Sequence, residues 1–288
     1  MSRESMSLKA NIRNLARKKD MSPQVVLQNY MFERFLERLS KSKYHDKFIL
    51  KGGLLIAALV GIDNRSTMDM DATIKNYSIN DESVTQAIKD ICNVFIDDDV
   101  SFSFSGINSI RDEDVYGGYR VSIIAEFDTI ITPLQIDIST GDVITPKEAL
   151  YLYKMIFKEG SVSIWAYNIE TILAEKVETI LRRGELNTRA RDFYDVYTLV
   201  KTQPFEYSIF LQALISTATH RETTHIFTNL KSRLDELSES KTLSSRWNKY
   251  KKDYRYAHEI SYEDVMDTLR RLVLGLWSIS LLSELHIS

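Results

Sequence analysis

The spacing of apolar residues predicts a chain whose first part mixes strands with helices and whose last part is helical. Short apolar or alternating runs predict strands at 48–50, 68–74, 100–105, 119–127 and 133–139, whereas helical spacing covers 7–19, 22–39, 54–60 and 82–95. Ser22-Pro23 is typical of a helix start, because serine caps the first turn and proline suits its first position. We therefore predict an α+β fold, in which a mixed sheet with flanking helices precedes a helical C-terminal domain.

The domain boundary is predicted where the period of the apolar pattern changes, between residues 160 and 168. Residues 1–165 are expected to form N-terminal helices and the sheet-containing core, and residues 166–288 the helical domain. With 288 residues, of which 44% are hydrophobic, the chain is long enough to bury such a core. Ile279–Leu282, near the end, is expected to pack within the molecule or at a dimer interface.

A glycine pair directly follows the first predicted strand, and an Asp-Met-Asp run comes later. The strand stops at Lys51-Gly52-Gly53, and a glycine turn before a helix brings backbone N–H groups close to a bound triphosphate. Asp69 and Asp71 stand two apart, so on a strand they point to one face, where Mg²⁺ or Mn²⁺ would neutralise them. Alone, each signal is more often a tight turn or a solvated strand face. In this order they resemble the nucleotidyltransferase superfamily related to DNA polymerase β.

That superfamily needs a third carboxylate, because a two-metal site requires several anionic ligands. In 133–139 the apolar Leu134, Ile136 and Ile138 share one strand face, and Asp137 lies on the other. Asp137 is therefore predicted to be the third metal ligand. The alternative is an ordinary acid near the end of a strand.

A second group of polar residues lies on two predicted helices between Asn168 and Val200. Asn168 is a suitable N-cap for the first helix, and Lys176 lies near the middle of it. The second helix, after Gly184, carries Arg189, Arg191, Asp192 and Asp195. On most soluble helices such a lysine faces solvent and such arginines pair with neighbouring acids on the surface.

Together these motifs resemble the AbiEii/AbiGii toxin nucleotidyltransferases of bacterial abortive-infection (phage defence) and type IV toxin–antitoxin systems. The resemblance spans 48–200 and rests on Gly-Gly, R-x-T-x-D-x-D at 65–71, A-E-K at 174–176 and R-x-R-D-x-x-D at 189–195. It implies a polymerase β-like core, Mg²⁺ or Mn²⁺, NTP as co-substrate and a cognate antitoxin. The metal and catalytic positions implied are Asp69, Asp71 and Asp137, with Lys176 also catalytic. The implied nucleotide-binding positions are Gly52, Gly53, Arg65, Thr67, Lys176, Arg191, Asp192 and Asp195.

Nucleotidyl transfer gives these positions chemical roles, since the protein mainly supplies positioning and positive charge. Lys51, Arg65 and Lys176 are candidates for contact with the triphosphate. Asp192 either binds base or ribose or orients Lys176. If Lys176 contacts the triphosphate, Lys176→Met is expected to slow transfer with little loss of stability.

The glycine turn departs from the superfamily pattern, which commonly has Gly-Ser where this chain has Gly-Gly. A serine hydroxyl is therefore missing at position 53, and Ser66 or Thr67 is left as a possible replacement. The separation of Gly53 from Asp69 is also somewhat longer than usual.

Composition and net charge exclude few classes of function. The net charge of −3 gives no overall basic field for nucleic acid, so RNA would need local patches such as Lys249, Lys251, Lys252 and Arg255 in the basic and aromatic run 246–255. The alternative is that this run is a solvated helix face. The single Cys92 excludes an internal disulfide, and no apolar segment is long enough to span a membrane. We expect a cytoplasmic protein, since the start is not a signal peptide.

The favoured function is transfer of a nucleotide from an NTP to an RNA acceptor, with tRNA favoured because family members have that activity, which blocks translation. The alternatives are transfer to a protein side chain, as in AMPylation, and a nucleotide- or partner-binding module without catalysis.

Overall fold

The computed structural model describes residues 3–78, 80–110 and 117–275. By its internal contacts the chain divides into two compact units, Met1–Asp142 with Glu148–Tyr167, and Val143–Lys147 with Asn168–Ser288. The predicted α+β class is confirmed, since the first unit holds a mixed sheet with helices and the second is helical. Ile279–Leu282, for which packing was predicted, lies outside the described residues.

The first unit is built on a seven-stranded sheet, counted over the described residues. Its strand order is β3-β4-β5-β2-β1-β7-β6, with β2 parallel to β5, β1 parallel to β7, and the other pairs antiparallel. The strands are β1 Phe48–Lys51, β2 Met70–Ile74, β3 Ser101–Ile110, β4 Gly118–Phe127, β5 Ile130–Thr140, β6 Ala149–Lys154 and β7 Ser161–Ala166. The helices are α1 Arg3–Lys19, α2 Pro23–Lys41, α3 Gly52–Val60 and α4 Asp81–Cys92.

Local sequence signals account for most of these elements. Ser22 caps α2 by accepting a hydrogen bond from the Gln24 N–H, and Pro23 occupies its first position, as predicted. Along β5, buried and more exposed residues alternate, with Leu134, Ile136 and Ile138 facing the core. Strands β6 and β7 lie in a region where the pattern predicts no strand, and β7 occupies the segment in which the period changes.

Helix α2 is an interior element of this unit. It packs against β5 and β7, and its Phe32, Phe35 and Leu36 are fully buried. The buried Arg38 donates to both carboxylate oxygens of Asp98, at 2.9 and 2.7 Å, so the buried charges are paired. A helix fixed in this way provides a rigid support for the loop that precedes β2.

The second unit is a set of helices in which α5 and α7 pack together. Asn168 caps α5 by accepting from the Thr171 N–H, as predicted. Glu178 on α5 is fully buried, and its carboxylate is satisfied by Arg182, Arg221 and Thr223. The helices are α5 Ile169–Arg183, α6 Ala190–Thr202, α7 Tyr207–His220, α8 Leu230–Glu239, α9 Lys241–Asp253 and α10 Tyr262–Leu274. Within the described ranges, no helix combines the length and apolar character that crossing a membrane requires.

Candidate active site

Four charged side chains form one row across the neighbouring strands β1, β2, β5 and β4. In the strand register, Lys51 pairs with Asp71, Asp71 with Asp137, and Asp137 with Arg120. Residues paired in this way point to the same face of a sheet. The row therefore has the order cation, anion, anion, cation, and it brings together two of the three acids identified in the sequence.

Asp69 departs from the sequence expectation of two aspartates on one strand. Strand β2 begins at Met70, so Asp69 lies in the loop just before it and is exposed, whereas Asp71 is partly buried within the strand. Asp69 nevertheless remains close enough to act on Asp71 electrostatically. The Asp-Met-Asp run thus provides one anchored carboxylate and one exposed carboxylate.

Asp71 is held at the centre of the row. Burial raises its pKa, and the neighbouring Asp137 and Asp69 raise it further, while the Lys51 ammonium and a hydrogen bond from the Gly53 N–H act in the opposite direction. The net effect is a raised pKa, because the first three influences prevail. A cation placed here would relieve both the desolvation and the repulsion.

Lys51 has a carboxylate partner of its own. Its ammonium lies 2.6 Å from Asp142, which also accepts from the Ser139 and Tyr167 hydroxyls at 2.7 and 2.9 Å. Burial alone would raise the pKa of Asp142, but these contacts outweigh it and lower that pKa to about 2. Lys51 is therefore fixed by Asp142, and contact with a triphosphate would require it to share this partner.

Arg120 is a site residue that the sequence reasoning missed. Its Nε and Nη2 donate to the two carboxylate oxygens of Asp137 at 2.7 and 2.6 Å, a bidentate arrangement. No local motif marks this arginine, because its position depends on how β4 pairs with β5. As long as this pair persists, both oxygens of Asp137 are engaged.

The donor chemistry of the three acids fits a hard divalent cation, since all their ligand atoms are carboxylate oxygens. Among the described residues, no three His, Cys, Asp or Glu side chains are grouped closely enough to hold a metal ion. Asp69 is exposed in the loop before β2, and both carboxylate oxygens of Asp137 accept from Arg120. Metal binding by Asp69, Asp71 and Asp137 would therefore require Asp137 to exchange Arg120 for the cation.

This exchange gives a measurable expectation for Arg120→Ala. Because the substitution frees Asp137, we expect Mn²⁺ affinity, followed by the electron paramagnetic resonance signal of free Mn²⁺, to increase about fivefold, the range of an exposed ion pair. Lys75→Ala is the control, since it removes an equal charge from the Lys75–Glu148 pair of the same unit. Equal Mn²⁺ affinity in wild type and Arg120→Ala would contradict the exchange.

The glycine turn is shaped around Asp71. Gly52 has φ of +66°, a left-handed conformation that favours glycine, and a Cβ at this position would overlap the Asp71 carboxylate. The next residue donates its N–H to Asp71 Oδ2 at 3.3 Å. Gly52 is therefore required for the close approach of this turn to β2, and the backbone N–H of Gly53 anchors the turn to Asp71.

Thr67 occupies the space that a serine at position 53 would need. A Cβ built on Gly53 would lie 2.7 Å from Thr67 Oγ1 and 3.3 Å from an Arg65 guanidinium nitrogen. Both of these side chains are buried, and the buried Asn29 of α2 donates to the Thr67 carbonyl at 3.1 Å. Of the two replacements left open for the missing serine, the structure places the hydroxyl of Thr67 against the turn.

The packing predicts a reciprocal swap at these two positions. Gly53→Ser alone should overpack the turn, at a cost of about 1–3 kcal/mol, and Thr67→Ala alone should remove the hydroxyl. We expect the double variant to recover stability and nucleotide transfer toward wild type, because one hydroxyl again occupies the space. Melting temperatures and transfer rates of all four proteins would measure this coupling. Additive losses would show that the two side chains do not substitute for each other.

In the helical unit, Lys176 is not a solvent-exposed helix residue. Its ammonium lies 2.7 Å from Asp192 Oδ1 and 2.8 Å from Asp195 Oδ2, which joins α5 to α6. The Asp195 side chain is fully buried. As placed, Asp195 is therefore suited to holding Lys176 rather than to touching a nucleotide, whereas Asp192 is partly exposed.

The remaining predicted residues of this unit separate into two surfaces. Arg189 and Arg191, at the start of α6, line one pocket together with Lys249 of α9. Lys251 and Lys252 line a different pocket. The lysines of the predicted basic patch are thus divided between two faces of α9, and its fourth residue, Arg255, lies beyond the end of that helix.

Comparisons with known proteins agree with this architecture. Residues 34–271 match the family described as "Nucleotidyl transferase AbiEii toxin, Type IV TA system". The chain also resembles the crystal structure of a proposed nucleotidyltransferase from H. pylori, with a TM-score of 0.53, 18% identity, and coverage of 90% of this chain and 95% of that one. At that identity the likeness bears on the fold alone.

Two further structures match more weakly. JHP933 from Helicobacter pylori gives a TM-score of 0.44 at 18% identity, covering 82% of this chain and 97% of that one. An antigenic nucleotidyltransferase-like protein from Paracoccidioides brasiliensis gives a TM-score of 0.40 at 15% identity. The match covers 73% of this chain and 92% of that one. Among curated proteins, no sequence match is found.

Proposed function

Because the chain belongs to the AbiEii family of nucleotidyl transferase toxins of type IV toxin–antitoxin systems, we propose that it transfers a nucleotide from an NTP to an RNA acceptor. The expected acceptor is tRNA, and the reaction would use a divalent cation. Family membership itself makes the chain an NTP-dependent nucleotidyltransferase and implies a cognate antitoxin. The acceptor, the cation and the roles of individual residues are our proposal.

The observation that carries the proposal is the pairing of Asp71 with Asp137 on parallel strands, directly beside the Gly52-Gly53 turn. Nucleotidyl transfer requires oxygen ligands next to a turn that a triphosphate can approach closely. When bound, the divalent cation would supply positive charge to the triphosphate and lower the pKa of an attacking hydroxyl. Asp71 would hold the cation together with Asp69 and Asp137.

The chain's own residues would supply positioning and further positive charge. The α3 N-terminus at Gly52-Gly53 offers backbone N–H groups, and the Thr67 hydroxyl lies against this turn. Lys176, held by Asp192 and Asp195, is proposed to contact the phosphates. Arg65 is buried beneath the turn, so we assign it to supporting the turn.

The helical unit favours a large, anionic acceptor. It carries a cationic pocket at the start of α6, although the whole chain has a net charge of −3. Local positive charge on an otherwise acidic protein is what binding to a phosphate backbone requires. An RNA acceptor therefore fits these features better than a protein side chain does.

The test is to incubate the purified protein with each α-³²P-labelled NTP, total tRNA and Mg²⁺ or Mn²⁺. We expect one or more labels to migrate with tRNA, and to be absent when Asp71→Asn replaces the wild type. Label on a protein instead of RNA would overturn the RNA acceptor in favour of protein nucleotidylation. Failure to label any macromolecule with any NTP would overturn the transfer reaction as proposed.

A further inference from the structure

A pocket of about 510 Å³ lies within the helical unit, between the start of α6 and one face of α9. Four of its lining residues are basic: Arg189, Arg191, Arg246 and Lys249. We call it the arginine pocket. We propose that it binds the phosphate backbone of single-stranded RNA and so holds the acceptor strand, an inference that rests on the proposed function for the choice of RNA as ligand.

Two of the four cations are fixed before any ligand binds. Arg191 donates from Nη2 to the Tyr254 hydroxyl at 2.7 Å, and its guanidinium lies over the Tyr254 ring, 5.2 Å from the centroid. Arg246 donates from Nη1 to the carbonyls of Glu185 and Asn187, both at 2.9 Å. Because neither of these arrangements uses a carboxylate, both arginines keep their full positive charge toward an incoming anion.

The other two cations are exposed. In the part of the chain that the structure describes, the side chains of Arg189 and Lys249 have neither a hydrogen-bond nor an ion-pair partner. Arg189 is also the N-cap residue of α6, and no side chain caps that helix. The N-terminus of α6 therefore adds a positive partial charge to the same pocket.

Two acids line the pocket, and they do not cancel its charge. Asp192 accepts from Lys176 at 2.7 Å, and Asp253 is exposed at the end of α9. Asp192 also connects the pocket to Lys176, so RNA bound to the arginines would pass beside the lysine that the proposed reaction uses. The arginine pocket therefore combines phosphate-binding groups with an acid, Asp192, that contacts Lys176.

The opposite face of α9 is the natural comparison. Lys251 and Lys252 line a second pocket, of about 610 Å³, with Asn248 and His258. Among the residues that the structure describes, the lining of that pocket includes no arginine and no helix N-terminus. Phosphodiester binding depends on converging donors rather than on charge alone, because arginine forks and backbone N–H groups match phosphate oxygens. We therefore assign RNA to the arginine pocket and not to the lysine face.

Two matched double variants test this assignment. Arg189→Ala/Lys249→Ala and Lys251→Ala/Lys252→Ala each remove two positive charges from the surface of the same unit. We expect the first to weaken binding of a fluorescein-labelled single-stranded RNA of about 12 nucleotides, measured by anisotropy, about tenfold, as loss of charge-assisted hydrogen bonds implies. The slope of log affinity against log salt should fall by about 0.7 for each lost contact. The second variant should bind like the wild type.

Nucleotide binding separates the two possible sources of phosphate. Equilibrium dialysis with each NTP should give unchanged affinity in Arg189→Ala/Lys249→Ala, because the proposed ligand is the RNA backbone. Weaker NTP binding with unchanged RNA binding would overturn the inference, since the pocket would then serve the triphosphate. Equal RNA affinities for both double variants would overturn it as well.

These outcomes are independent of the transfer assay. If the wild type labels tRNA but the arginine-pocket variant binds RNA normally, the proposed function survives and the pocket assignment fails. If RNA binding depends on Arg189 and Lys249 but no label reaches RNA, the pocket assignment survives and the proposed reaction fails.

Discussion

Asp71→Asn should abolish nucleotide transfer while making the metal-free protein more stable at neutral pH. The substitution removes the central carboxylate of the row, so transfer should fall at least about a hundredfold, the scale for losing one group that stabilises charge in a transition state. Asparagine keeps an oxygen that can accept from the Gly53 N–H, so the glycine turn should remain in place. Transfer to RNA and thermal unfolding in a chelating buffer measure the two effects, and retained activity would remove Asp71 from the site.

The stability effect has a definite pH dependence. Because folding raises the pKa of Asp71, the wild type is not penalised below the pKa of the unfolded chain, and it loses stability as pH rises through the raised folded pKa. The gain in Asp71→Asn should therefore be present at neutral pH and disappear in acid.

Asp142→Asn is a control for which the expected change in stability has the opposite sign. Folding lowers the pKa of Asp142 to about 2, so the charged carboxylate stabilises the fold above the pKa of the unfolded chain. This contribution is lost as pH falls toward 2. Asp142→Asn should thus destabilise the protein at neutral pH. If both variants shifted the melting temperature in the same direction at neutral pH, the electrostatic description of the row would be wrong.

Lys176→Met should reduce transfer by orders of magnitude and should also destabilise the protein. The sequence alone suggested a small stability effect, but the structure changes that expectation, because the substitution leaves the buried Asp195 without its ammonium partner. Removing one member of a buried ion pair costs about 3–5 kcal/mol. Chemical denaturation measures this loss, and transfer is measured below the unfolding transition.

A second pair of variants separates catalysis from stability. Asp195→Asn and Lys176→Met/Asp195→Asn both lack the buried charge, and they differ only in the lysine. We expect the double variant to be more stable than Lys176→Met, because no fully buried charge is left without its lysine partner, yet inactive in transfer. If it matched the activity of Asp195→Asn, Lys176 would be a structural bridge between α5 and α6.

The parts of the site that the sequence predicted are those encoded locally. The glycine turn, the alternation around Asp137 and the cap at Asn168 each depend on residues a few positions apart. The prediction that Asp137 lies next to Asp71 required the further assumption that their strands are neighbours. The strand register satisfies this assumption.

The parts that the sequence did not predict depend on contacts between distant segments. Arg120 meets Asp137 through the pairing of β4 with β5, and Thr67 meets Gly53 across a loop. The burial of Asp195 depends on how α6 packs, and the division of the α9 lysines between two pockets depends on its orientation. Periodicity gives the faces of an element but not the neighbour that each face meets. Strand β6 was missed because its residues carry no strong alternating pattern, whereas β7 does alternate, with Val162, Ile164 and Ala166 buried, but its segment was assigned to the domain boundary.

The row of Lys51, Asp71, Asp137 and Arg120 holds two positive and two negative charges from the chain itself. Because these charges pair within the chain, we expect the row to assemble on folding without a bound ion, in contrast to domains that gain their stability from one. A newly synthesised chain would then be folded before it has bound the cation and NTP that the proposed transfer requires. Under the proposed function, binding of cation and NTP, rather than folding, would then decide when the toxin becomes active.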